Sequence, residues 1–64
     1  MNVYQIIAEY GPVAADHIMF YVQCDNEDEA LQEAIEILKK DYASYWPRIG
    51  EDNVYVRETN DTIY

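Results

Sequence analysis

Apolar residues first alternate along this chain and then recur at helical spacing, and that change of period sets the predicted elements. From Val3 to Tyr10 β-branched and aromatic residues dominate, and Gly11-Pro12 closes the run. In such a strand Tyr4, Ile6, Ala8 and Tyr10 share one face, and Val3, Gln5, Ile7 and Glu9 the other. His17 to Cys24 repeats the pattern, with Ile18, Phe20 and Val22 alternating with Met19, Tyr21 and Gln23. Asp25-Asn26 then offers N-caps, and Asn26 and Glu29 have the spacing of a capping box. Ala30, Leu31, Ala34, Ile35, Leu38 and Tyr42 follow on one helical stripe that Tyr45 continues. The stripe predicts a helix reaching Ser44 or Tyr45, because Pro47 disfavours helical geometry at Trp46. Arg48 to Asn53 reads as a polar loop around Gly50, and Asn53 to Thr59 as a third strand. Asn60-Asp61 reads as a turn, and Thr62 to Tyr64 as a segment that pairs briefly or frays.

The order β-β-α-β predicts an α+β fold: one domain over residues 1–64, with a three-stranded, mainly antiparallel sheet and one helix on one face. Right-handed crossovers dominate and the helix must cover one face, and the simplest arrangement then puts the first strand in the middle, for a strand order of 2-1-3. The expected core is Ile6, Ala8, Ile18, Phe20, Val22, Val54 and Val56 under Leu31, Ile35 and Leu38. One helix covers one face, which leaves Val3, Gln5, Ile7, Met19, Tyr21, Tyr55 and Arg57 on the other. An open sheet face usually alternates to polar residues. This one is half apolar and aromatic, and Ile7, Met19, Tyr21 and Tyr55 mark it as an expected interface.

Charge changes the picture. Thirteen carboxylates face four bases, for a net charge of −9, and six of the acids fall between Asp25 and Glu36 with no base among them. Phosphate affinity comes from Lys and Arg, so direct nucleic-acid binding is excluded, as is attraction to anionic membranes. A basic protein is the partner that fits. Glu29, Glu33 and Glu36 lie within about 60° of one another on a helical wheel, and i,i+4 neighbours are about 6 Å apart along the axis. That spacing is of the scale found along a nucleic-acid backbone. Acids in the first turn and Lys39-Lys40 in the last also complement the helix dipole, which any solvated helix would use.

Candidate chemistry is thin. Asp25, Glu27, Glu29, Glu33 and Glu36 match positions of a calcium loop, but Ala30 stands where the EF-hand turn needs Gly. One His and one Cys cannot build a structural zinc site. His17 and Cys24 fall on opposite faces of one strand, too far apart to act as base and nucleophile. The two glycines form no phosphate loop. No metal, cofactor or catalytic residue is expected. A lone cysteine and the lack of long apolar runs predict a cytoplasmic protein.

These features predict a non-enzymatic acidic interaction protein. Its Glu29, Glu33 and Glu36 face would enter the basic cleft of a nucleic-acid-binding protein, as an inhibitor or nucleic-acid mimic. In size and charge the chain resembles the small acidic proteins with which viruses, phages among them, and mobile elements block such enzymes. The alternative is an assembly module that homodimerises through its aromatic sheet face, its charge serving solubility.

Overall fold

A computed structural model describes residues 2–13 and 15–59. The turn and terminal segment expected at Asn60 to Tyr64 lie outside the described residues. Strands β1 (Asn2–Glu9) and β2 (His17–Cys24) are followed by helix α1 (Glu27–Asp41), a short helix α2 (Trp46–Ile49) and strand β3 (Val54–Glu58). A single 3₁₀ turn over Glu51–Asn53 leads into β3. The sheet order is β2-β1-β3, with both neighbours antiparallel to β1. This is the α+β fold that the periodicity predicts.

The alternation in β1 puts Tyr4, Ile6 and Ala8 under the helix. Asn26 caps α1 through its side-chain oxygen, which accepts the Glu29 N–H at 2.9 Å. Glu27, Asp28 and Glu29 in the first turn and Lys39 and Lys40 in the last complement the helix dipole. The buried ridge of α1 is Ala30, Ala34 and Leu38, with Ile37 packed beside it. The expected stripe is therefore rotated: Leu31 and Ile35 are half-buried flanks rather than its centre. Alanine at the closest approach lets the helix backbone come near the sheet, and larger residues are displaced to the sides.

Two core clusters result. Tyr4, Ile6, Val22 and Cys24 pack with Ala30 and Ala34, while Ala8 and Leu38 pack with Ile49. Phe20 and Val54 bridge them. Ile18 and Val56 are partly buried at the margins, so the expected sheet side of the core is present.

The segment after α1 corrects the sequence reading. The helix stops at Asp41, because Tyr42 leaves helical geometry (φ −125°, ψ 41°) while its N–H still bonds Leu38 C=O. Tyr42 stacks parallel to Phe20 with ring centroids 6.3 Å apart, and Tyr45 tilts against Tyr10 at 4.8 Å. These aromatic contacts turn the chain before Pro47 is reached. Pro47 then sits in the first turn of α2, where a missing N–H costs nothing. The predicted polar loop is thus partly helix, and its Ile49 is 1% exposed. Gly50 ends α2 at φ +66°, a conformation that favours glycine, and Asn53 Nδ2 donates to Ile49 C=O at 2.7 Å.

Leu38→Ala and Ile49→Ala should each destabilise the domain by about 2–5 kcal/mol, the cost of a large-to-small change in a packed core. Urea unfolding followed by circular dichroism measures this. An Ile49→Ala loss below about 0.5 kcal/mol would be that of an exposed loop residue and would remove α2 from the core.

Candidate functional site

The two surfaces singled out by the sequence lie on opposite sides of the sheet. On the helix side Glu29, Glu33 and Glu36 are all exposed. Measured from Ala34 on a helical wheel, Glu36 is about 160° away, Glu29 about 140° and Glu33 about 100°. Glu36 and Glu29 thus point outward, while Glu33 stands on the flank. From Glu27 to Glu36 the helix carries no base. Lys39, which could have balanced this run, places its Nζ 5.5 Å from the centroid of Trp46 in a cation–π contact.

Glu33 and Glu29 reach the end of β2. Burial pushes the Cys24 thiol upward from its ordinary range, and the charges of Glu33, Glu29 and Asp25 add to the shift. The side chain is 8% exposed and faces the core, so it packs as a small apolar group. His17 is exposed on the opposite face, its Cα paired with that of Glu9. The two are not neighbours. The acidic surround of Cys24 is a feature that the sequence reading missed. Its signal was there, in Asp25 adjoining Cys24 and a helix starting two residues on.

On the sheet side the register brings all four predicted residues together. Ile7 is flanked by Met19 on β2 and Tyr55 on β3, and Gln5 by Tyr21 and Arg57. Met19, Tyr21 and Tyr55 are 49%, 52% and 49% exposed, while Ile7 is half-buried between them. Gln5 Nε2 donates to Met19 Sδ at 3.1 Å and to Tyr21 Oη at 3.4 Å, which ties the β2 side chains to the centre of the face. Among the strand residues of this face, Glu9 is the one carboxylate and Arg57 balances it. The charge is therefore one-sided. Apart from Glu9, the described acids stand on the helix side and in the loops, and the sheet face is close to neutral.

Among the described residues, no group of three or more His, Cys, Asp or Glu is placed to hold a metal ion. No helix there is long and apolar enough to cross a membrane. No protein-family model, curated protein or solved structure matches the chain. The functional reading rests on the two surfaces alone.

The surround of Cys24 is testable by thiol labelling. A raised thiol pKa means less thiolate at a given pH, so iodoacetamide labelling should accelerate at a higher pH in the folded chain than in the unfolded one. Glu29→Gln with Glu33→Gln should move that midpoint back down. An unchanged midpoint in the double variant would mean that neither carboxylate acts on the thiol.

Proposed function

We propose that this chain is a non-enzymatic interaction protein of the cytoplasm, which engages the basic cleft of a nucleic-acid-binding protein through the outer face of α1. Glu29, Glu33 and Glu36 carry that face, with Glu29 and Glu36 at its centre and Glu33 on its flank. It acts as an inhibitor or nucleic-acid mimic. The one-sided charge is the observation that supports this reading. Acids needed only for solubility would be spread over the surface, whereas here the sheet face carries almost none. A net charge far from zero also costs self-repulsion, and a basic partner relieves that cost.

Binding of this kind draws on summed charge and a steered encounter. It should weaken as salt rises, and DNA or RNA should compete for the same partner. Replacing Glu29, Glu33 and Glu36 together by Gln keeps helix propensity nearly constant. The triple variant should remain folded and bind at least about tenfold more weakly, about 1.4 kcal/mol. The measurement is capture of basic nucleic-acid-binding proteins at low salt, followed by titration of the captured partner. If the variant binds as well as the parent, and competing nucleic acid displaces neither, the mimic reading fails.

A second reading has its own support. The uncovered face with Met19, Tyr21, Tyr55 and Arg57 has the composition of an interface centre, which is rich in aromatic residues, Met and Arg and poor in carboxylates. In this reading the protein is an assembly module and its partner is a second copy.

A further inference from the structure

We infer that two copies of this chain join through the outer edge of β2, which pairs antiparallel with itself to make one continuous six-stranded sheet. This rests on the assembly reading only in that the partner is a second copy, and it moves the contact from the face to an edge.

The direction of the main-chain groups follows from two hydrogen bonds. Thr59 N–H donates to Val3 C=O at 2.9 Å, and Tyr10 N–H to Asp16 C=O at 3.0 Å. In an antiparallel ladder such pairs alternate. Odd-numbered residues of β1 therefore bond to β3, and even-numbered ones to β2. By the register, Ile18, Phe20, Val22 and Cys24 bond inward to β1. Met19, Tyr21 and Gln23 aim their N–H and C=O groups at the outer edge of the sheet.

Exposed edges invite pairing, and proteins protect them with charges, proline, bulges or short strands. The β3 edge has such protection, with five residues that include Arg57 and Glu58. The β2 edge has none. It is eight residues long, contains no Asp, Glu, Lys, Arg or Pro, and its register with β1 runs unbroken from Cys24 to His17. In a chain of net charge −9 the strand itself offers a contact that contains no carboxylate, with Asp16 and Asp25 flanking its two ends.

The strand is also its own complement. A two-fold axis through Phe20, normal to the sheet, sets Phe20 against Phe20 of the second copy. It sets Ile18 against Val22 on the helix side, and Met19 against Tyr21 on the open side. Residues directly opposite across an antiparallel pair share a face, so each apolar residue from 18 to 22 meets an apolar one. About six main-chain hydrogen bonds would form, four between Met19 and Tyr21 of the two copies and two from Gln23 N–H to the His17 C=O opposite it. Ile18 and Phe20, only partly buried at this edge, would gain cover. A basic partner strand would find no carboxylate on β2 to pair with.

Sedimentation and amide exchange test this on the unaltered chain. The expected result is a dimer at high micromolar concentration that tightens on going to about 0.5 M NaCl, since salt screens repulsion between the copies. The amides of Met19, Tyr21 and Gln23 should exchange slowly in the dimer and quickly on dilution. Tyr21→Pro removes one of these edge N–H groups without taking a bond from β1, and should weaken the dimer at least about tenfold. Tyr21→Thr keeps the N–H and loses only the side-chain pair with Met19, so it should weaken the dimer less than Tyr21→Pro does. A chain that is monomeric throughout overturns both the inference and the assembly reading. A dimer whose three amides exchange equally fast at all concentrations overturns the edge contact alone. Should Tyr21→Pro unfold, the exchange data on the unaltered chain still decide.

Discussion

The sealing of one sheet face by α1 is the constraint on which the rest of this structure depends. The chain has one long helix, and Ala30, Ala34 and Leu38 press it onto Tyr4, Ile6, Ala8 and Val22. Small domains bury a limited fraction of their surface. The corner formed by Ile49 with the rings of Tyr42, Tyr45 and Trp46 therefore matters, because it closes the end of the core that α1 leaves open. No second layer of secondary structure covers the opposite face of the sheet among the described residues.

From this follows the two-sided character of the molecule. The first turn of α1 carries Glu27, Asp28 and Glu29 at little local cost, because a helix N-terminus favours acids, while Glu33 and Glu36 further along are exposed to solvent. The open sheet face, by contrast, is close to neutral, its strands carrying one acid, Glu9, and one base, Arg57. Its Gln5 bridges Met19 and Tyr21, so the polar atom in the middle is already engaged by side chains of the face. The two sides respond to salt with opposite sign. Attraction between α1 and a basic cleft is screened away, while repulsion between two acidic copies is relieved. A single chain can serve both contacts, since neither uses the residues of the other.

How much of this was legible before the fold was in view varies by element. The period-2 and period-3.6 segments gave β1, β2, β3 and α1, the Asn26 cap, the strand order and the four residues of the sheet face. Those features are local, or follow from one helix having to cross one sheet. The outward position of Glu29 and Glu36 was likewise contained in helical geometry. The end of α1 was not, because it depends on Phe20 and Tyr10, distant in sequence, drawing Tyr42 and Tyr45 out of the helical path. Ile49 sits among polar residues and shows no period of its own, so its burial became visible only once α2 was folded against Leu38.

What the sequence by itself determined is the class of fold and the surplus of acid, because propensity, alternation and charge are properties of residues and near neighbours. Tertiary structure decided the rest. It rotated the buried ridge of α1 to its alanines, since close packing on a sheet selects the smallest side chains at the point of contact. It placed Glu33 and Glu29 beside Cys24. It also made β2 and β3 the edge strands among the described residues, because an edge exists only where pairing ends, and pairing is a relation between strands far apart in the chain.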